Sequence, residues 1–483
     1  MSDKKNINIL YVTPECVPFA NSGGLGEVAG SLPKALNRKR NINCRVMLPL
    51  YGSISDKFRK KMTFLGTGTV DVTWRKQYLG VFEMKYQGVV YYFIDNEYYF
   101  KREGLYGHYD DGERFAYFSK AVFEALRLIE DDFIPDIIHA NDWQTALIPV
   151  LQTAVYKRKN TKTVFSIHNI EYQGLFGTNT LGDIIDLPYE YHGLVRFRDG
   201  VNLMKGGIEA ADMVSTVSPT YAEELKDPFY AFGMEEIISR NAYKLKGILN
   251  GINTQLYDPA KDPYIESNFS AADISGKALC KSGLQKALAL PEKDAMMITM
   301  VSRLVPAKGV DLVKEVMDEI LDRYNVQFVM LGTGEWEYEN FFRGLENRHP
   351  GQARCNIKFD AGLSHMIYAA GDVLLVPSRS EPCGLTQMIG CRYADIPIVR
   401  RTGGLNDSIT DCTQGEGNGF VFDTYSADSL YEAMSGAIEH YQNKEGWEKL
   451  KDYAISMDFG WSSSANEYRK MYEKILKDET EQQ

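Results

Sequence analysis

Short apolar runs rich in β-branched residues alternate, along nearly the whole chain, with segments whose apolar positions recur every three to four residues. The first kind predicts strands buried on both faces and the second predicts helices laid over them, the pattern of repeated strand-helix-strand units and parallel sheets. In the first half, strands are expected over 7–13, 44–50, 137–140, 164–167 and 213–216, joined by helices such as 114–129 and 143–156. From 66 to 95 the period becomes two, with Val70, Val72 and Trp74 and then Tyr91 and Phe93, which predicts an antiparallel insertion. The second half repeats the scheme, with strands over 297–302, 328–331, 357–359, 373–376 and 397–400 and helical segments such as 309–323. Between the halves, Asp258-Pro-Ala-Lys-Asp-Pro263 and the polar stretch to Lys281 break both periods, which places a hinge near 247–263. Serines at 462–464 open a last amphipathic helix with Tyr468, Met471, Tyr472 and Ile475 on one face, and the polar tail 477–483 is expected to fray.

This order predicts an α/β protein of two doubly wound, Rossmann-like domains, 1–250 and 251–458, with the final helix in 459–483 packing back on the first. A chain of 483 residues needs more than one core in any case. Two such domains facing each other would bring the carboxyl ends of both sheets to a deep interdomain cleft, where open α/β sheets bind ligands. Dehydrogenases, phosphorylases and nucleotide-sugar transferases all use such clefts, so architecture alone does not choose among them.

Composition narrows the choice. Lys and Arg total 54 against 65 Asp and Glu, a net charge of −11, the wrong sign for binding nucleic acid or an anionic membrane surface. No run approaches the roughly 18 apolar residues of a membrane span, and Met1-Ser-Asp-Lys-Lys-Asn leads into no apolar export segment, so a cytoplasmic location is expected. The seven cysteines (16, 44, 280, 355, 383, 391 and 412) are odd in number and scattered with no CxxC pair, which argues against disulfides and a zinc site. Aromatic residues make up 12% of the chain; most fill cores, and the remainder can stack on the apolar faces of sugars.

Candidate chemistry collects where strands end and helices begin. Asn21-Ser-Gly-Gly-Leu-Gly-Glu27 follows the first strand, and Gly23 and Gly24 leave room for a ligand to approach the backbone at a helix N-terminus, as in a phosphate or sugar loop. Its spacing is not GxGxxG, which disfavours a dinucleotide site and a dehydrogenase. Ser302-Arg303-Leu-Val-Pro-Ala-Lys308-Gly309 puts a planar cation and a point charge after the first strand of the second half, suited to a diphosphate. Pro377-Ser-Arg-Ser-Glu381-Pro-Cys-Gly-Leu-Thr-Gln387 adds an acidic side chain for sugar hydroxyls and backbone N–H groups near Leu385 and Thr386 for a phosphate. His139-Ala-Asn-Asp142-Trp143 and Ser166-Ile-His168-Asn169 end successive strands and can form a sugar-binding wall. No Asp-x-Asp pair occurs, so cationic side chains and helix ends are expected to neutralise a leaving diphosphate, with no metal.

These motifs, with Ile167-His-Asn-Ile-Glu-Tyr-Gln-Gly174, Leu249-Asn-Gly-Ile252 and Arg400-Arg-Thr-Gly-Gly-Leu405, run colinearly from about residue 6 to about residue 476 and closely resemble the bacterial glycogen synthase and plant starch synthase family. The resemblance implies a GT-B glycosyltransferase that moves glucose from ADP-glucose to the non-reducing end of an α-1,4-glucan with retention of configuration, releasing ADP and using no metal or other cofactor. It implies that Arg303 and Lys308 hold the diphosphate and meet the charge that grows on it, that Glu381 holds glucose hydroxyls, and that Cys383, Gly384, Leu385 and Thr386 lie by the phosphates. It places His168 beside the anomeric carbon with Asn169 and Asn250 nearby, Phe359 against the base, and Asp142 and Trp143 on the acceptor side. The family loop usually reads Lys-[Thr/Ser]-Gly-Gly-Leu-[Ala/Gly]-Asp; here Asn21 stands in the Lys position and Glu27 in the Asp position, which removes one cation from the donor side. Two other readings follow from that departure: the same transfer from UDP-glucose, or a glucan-binding protein without turnover.

Overall fold

The computed structural model describes residues 6–477, so the expected fraying beyond Lys477 lies outside the described residues. The chain forms two compact units, one of residues up to Gly251 together with those from Trp461 onward, the other Ile252–Gly460.

The first unit is built on strands β1 (Ile7–Val12), β2 (Ile42–Pro49), β3 (Thr63–Val72), β4 (Arg75–Tyr86), β5 (Val89–Asp95), β6 (Ile137–Asn141) and β7 (Lys162–Ile167). A separate small sheet takes β8 (Leu175–Gly177), β9 (Arg196–Phe197) and β10 (Gly200–Asn202), and β11 (Met213–Thr216) and β12 (Leu245–Gly247) complete the main one. Its order is β12-β11-β7-β6-β1-β2-β5-β4-β3. Every pair from β12 to β5 is parallel, and both faces are covered, which is why β1 and β7 read as apolar runs. Within the period-two segment β3, β4 and β5 pair antiparallel, yet β5 lies parallel beside β2 and so belongs to the buried sheet as well. The expected helix 143–156 is broken into a 3₁₀ turn at Trp143–Thr145, an α-helix at Leu147–Leu151 and a π turn at Gln152–Tyr156. Pro149 has no N–H for the carbonyl four residues back, and the Gln152 side chain donates to Arg158 O and Thr161 O, drawing the end away from α geometry.

The second unit contains β13 (Met296–Val301), β14 (Val326–Leu331), β15 (Ala353–Asn356), β16 (Val373–Val376), β17 (Ile396–Arg400) and β18 (Phe420–Phe422), all parallel, in the order β15-β14-β13-β16-β17-β18. Leu284, Met297, Val329, Leu331, Leu363 and Ile367 form one continuous core there. The strand expected over 357–359 sits instead at Ala353–Asn356, because Asp360 caps the helix Ala361–Ala370 by accepting from Leu363 N and the preceding residues already turn toward it.

In each sheet the first strand of the unit lies centrally, with the chain winding outward to both sides: β1 lies between β2 and β6, and β13 between β14 and β16. The carboxyl ends of β1 and β6, and of β13 and β16, are therefore the places where the strand order reverses and ligands find a crevice.

The helix Trp461–Lys477 rejoins the first unit, packing on the helix Gly24–Asn37 with Trp461, Ala465, Tyr468, Met471, Tyr472 and Ile475 buried. Its Tyr472 hydroxyl meets Nδ1 of His139 at 2.7 Å, while Nε2 of His139 meets Ser166 Oγ at 2.6 Å, so a fully buried imidazole has both nitrogens satisfied. Tyr472→Phe removes one partner and leaves the other desolvated, so a loss of about 1–3 kcal/mol is expected. A thermal midpoint equal to that of the parent chain would show that the contact holds nothing. Among the described residues no helix is long and apolar enough to cross a membrane.

Candidate active site

In the second unit, the crevice between the ends of β13 and β16 is a cavity of about 540 Å³, its open mouth included, lined by Arg303, Lys308, Ser378, Glu381 and Thr386 above a floor that includes Met300 and Leu375. Two loops form its rim and are fixed to each other. Gly309, at φ +69° between the turn Pro306–Lys308 and the helix Val310–Arg323, lies so close to the second loop that a Cβ would stand 2.1 Å from Pro377 O. Arg379 N donates to Ala307 O at 3.0 Å beside it. The buried Arg400 supports the second loop from beneath by donating to Ser378 O and Arg379 O.

Held in this way, Lys308 Nζ donates to both oxygens of Glu381, at 2.8 and 2.6 Å, and Ser378 Oγ donates to Glu381 Oε2 at 2.8 Å. Glu381 is 7% exposed, so its carboxylate depends on these donors in place of water. Arg303 differs: its side chain is exposed and makes no ion pair or hydrogen bond among the described residues. The cavity thus presents one uncommitted guanidinium and one ammonium already charge-balanced by a carboxylate.

The turn after Glu381 is equally fixed. Gln387 Nε2 donates to Cys383 O, Gly384 O and Ser408 Oγ, and Gly403, at φ +41°, approaches so closely that a Cβ there would stand 2.1 Å from Glu381 O. The pair Gly403-Gly404 is therefore a packing surface for the loop. Leu385 and Thr386 begin the helix Thr386–Arg392 with no side-chain cap, leaving first-turn N–H groups without a helical partner. Cys383 is buried and does not line the cavity, and Phe359, 92% exposed, stands outside it.

In the first unit the crevice lies at the ends of β1 and β6. Glu15, 3% exposed, accepts from Ser22 N and Ser22 Oγ at 2.6 Å each and from Gly26 N at 3.1 Å, with the Tyr106 hydroxyl also donating. This one carboxylate shapes the loop from Asn21 to Gly26, and burial raises its pKa. Asn21 Oδ1 accepts from Gly23 N at 3.2 Å. Gly23 and Gly24 face open space, so nothing among the described residues excludes a side chain from either position. Glu27 sits in the first helical turn, half-buried, its pKa raised mainly by burial against the opposing effect of Lys34.

Asp142 occupies φ +55°, ψ 178°, backbone that side chains rarely adopt and that costs of order 1–3 kcal/mol. The strain directs its Oδ1 to His168 N at 2.7 Å and, more weakly, to Asn169 N at 3.4 Å. Part of its surface remains exposed, yet the surrounding walls desolvate the carboxyl and push its pKa up to about 7. Burial pushes the neighbouring His168 down to about 3, so this ring is neutral. Trp143 stands edge-on to Phe115 at 5.3 Å and beside Phe176 at 5.8 Å, half-buried with a free margin. Asn250, 4% exposed, has an Oδ1 with no hydrogen-bond partner among the described residues.

The structure thus brings Arg303, Lys308, Glu381 and Thr386 to one cavity, joins Asp142, His168 and Asn169 through one carboxylate oxygen, and gathers Asn21, Gly23, Gly24 and Glu27 at one helix start. Glu15, Tyr106, Asn141, Ser378 and Arg400, which hold these residues, are the ones sequence reasoning missed. The single available signal was a charged residue, Glu15 or Arg400, inside or next to an apolar strand end.

The chain is similar to known proteins along nearly its whole length. Residues 8–240 match the starch synthase catalytic domain family and residues 284–456 match glycosyl transferases group 1. The chain is 46% identical to a glycogen synthase from Clostridium perfringens over 99% of its own length and 100% of that protein. It is 44% identical to one from Anoxybacillus flavithermus, covering 97% and 98% of the two chains. Among solved structures, the catalytic domain of starch synthase IV from Arabidopsis thaliana, bound to ADP and acarbose, superposes with a TM-score of 0.89 at 34% identity over 98% of this chain and all of that one.

Proposed function

Since the chain belongs to the glycogen synthase family and its two Rossmann-like units are those of the GT-B glycosyltransferases, we propose that it transfers glucose from ADP-glucose to the non-reducing end of an α-1,4-glucan in the cytoplasm, with retention of configuration and release of ADP. The observation that carries this reading is the Arg303, Lys308 and Glu381 arrangement in one cavity at the switch point of the second unit. The starch synthase relative was solved with ADP, which supports assigning a diphosphate to these cations.

The uncommitted Arg303 supplies a planar fork for the diphosphate. Lys308 exchanges its Glu381 partner for a phosphate oxygen, which frees the carboxylate to accept from glucose hydroxyls. The N–H groups at Gly384, Leu385 and Thr386 add donors to the phosphates, and the ring of Phe359 is available to the base. As the bond from C1 to the phosphate oxygen breaks, negative charge grows on that oxygen, and fixed cations stabilise it there more than in the ground state. An acceptor hydroxyl then bonds to C1 on the face the phosphate leaves, and its proton passes to the departing phosphate oxygen, so the configuration is kept. In the first unit the family reading gives the Asn21–Glu27 loop, Asn169 and Asn250 contacts to sugar, His168 the orienting of the glucosyl ring, and Asp142 with Trp143 the acceptor.

Asn21 gives the UDP-glucose alternative its one specific support, because it brings no charge to the loop. Initial rates of labelled glucose transfer into glycogen from ADP-glucose and UDP-glucose, with and without a chelator, decide the matter. Transfer from ADP-glucose unaffected by chelator is expected. Transfer from UDP-glucose alone would make the loop a specificity switch, and none from either donor would leave a glucan-binding protein.

A further inference from the structure

Asn141, at the end of β6, is fully buried and is the only residue to reach both the end of β1 and the ring of His168 among the contacts of that ring in the described residues. Its Nδ2 donates to Val12 O at 2.9 Å and to His139 O at 3.3 Å, which leaves its Oδ1 facing Nε2 of His168 at 2.9 Å. An amide oxygen has no proton to give, so the hydrogen in the last contact belongs to the imidazole. Turning the amide around would set its oxygen against two carbonyl oxygens with no hydrogen between them. His168 therefore carries its proton on Nε2 and its lone pair on Nδ1, while its own backbone N–H is held by Asp142 Oδ1 at 2.7 Å. Adjacent residues at one strand end fix both the ring and its main chain.

We propose that Asn141 is a positioning residue for glucosyl transfer, locking His168 as the neutral Nε2–H tautomer so that Nδ1 is presented to the donor sugar as a hydrogen-bond acceptor. The inference rests on the placement of His168 beside the donor given above. An amide is suited to this task where a carboxylate is not. Aspartate at 141 would stabilise the imidazolium, in which both nitrogens donate and no acceptor remains. The titratable groups that face His168 are Asp142, through the backbone contact, and His139, itself neutral because burial pushes it down to about 3. Burial acts on His168 in the same direction.

Long-range proton–nitrogen correlation spectra of the ¹⁵N-histidine-labelled protein, assigned by the signal missing from His168→Gln, test this without a variant at 141. A protonated-type Nε2 and a lone-pair-type Nδ1, unchanged between about pH 5 and about pH 8, are expected. An Nδ1–H tautomer, or titration within that range, would overturn the inference. In Asn141→Asp, once its circular dichroism matches the parent, His168 is expected to titrate within the range. The ratio of variant to parent transfer from ADP-glucose, measured at each pH, should then fall about tenfold per pH unit on the acid side of that titration. Should that variant not fold, the parent spectrum decides alone. Parent transfer rates are measured in the same buffers: no transfer would overturn the assigned role whatever the tautomer, whereas normal transfer with an Nδ1–H ring would overturn the tautomer lock alone.

Discussion

Arg303→Ala is expected to lower turnover with ADP-glucose by about 10²–10³-fold while leaving the thermal midpoint unchanged, and Lys308→Ala to lower both. The difference follows from what each cation does in the unliganded chain. Arg303 is exposed and unpaired among the described residues, so its removal costs the fold nothing. Among the described residues Lys308 supplies two of the three hydrogen bonds to the buried Glu381 carboxylate, leaving the Ser378 hydroxyl when it is gone. An uncompensated buried charge costs up to several kcal/mol; because Lys308 itself is 22% exposed and water can enter its place, about 1–3 kcal/mol is expected here. Glu381→Gln in the Lys308→Ala background should restore the midpoint and not the rate. Steady-state kinetics and melting curves on the four proteins separate the two effects, and near-normal turnover in both single variants would defeat the assignment of these cations to the leaving diphosphate.

What could be read from the sequence, and what could not, divides along physical lines. The loops at 302–309 and 377–387 were legible because a strand end followed by glycine and a helix start puts its residues at the carboxyl edge of a parallel sheet whatever packs around them. Family motifs then attached chemistry to Arg303, Lys308 and Glu381. The residues that hold those groups act through partners remote in sequence, which no local pattern encodes: Asn141 reaches Val12 across 129 residues, and Arg400 reaches Ser378 across 22. Local periodicity also failed where a strand is half-exposed. Ala353–Asn356 carries one buried residue followed by three partly exposed ones, so it offers no apolar run, and the more apolar-looking 357–359 drew the expectation instead. Pro149, inside Leu147–Leu151, offers Thr145 O no N–H and so marks the break before Leu147, a signal hidden by the helical period of its neighbours.

Asp142→Asn should remove a pH dependence of stability that the parent chain shows between about pH 4 and about pH 7. Burial raises the Asp142 carboxyl from an ordinary 3.8 to about 7, so the folded chain holds this proton more tightly than the unfolded one. The associated stabilisation is complete below the unfolded value and is lost as pH rises through about 7, where an ionised carboxylate must sit in a desolvated crevice. Its size is on the order of 2 kcal/mol once the partial exposure of the residue is allowed for. Asparagine keeps an oxygen for His168 N and never ionises, so the variant's midpoint should decline less than the parent's from pH 5 to pH 8. Glu15, also raised by burial, is present in both proteins and cancels in the difference. The same ionisation has a kinetic counterpart: if the carboxylate receives the acceptor hydroxyl, parent kcat/KM for glucan climbs through about pH 7, and the variant is flat and lower. Differential scanning calorimetry and acceptor kinetics at matched pH values measure both, and parallel pH profiles for the two proteins would show that Asp142 stays ionised throughout and that its strained backbone, held at φ +55°, serves only to fix His168.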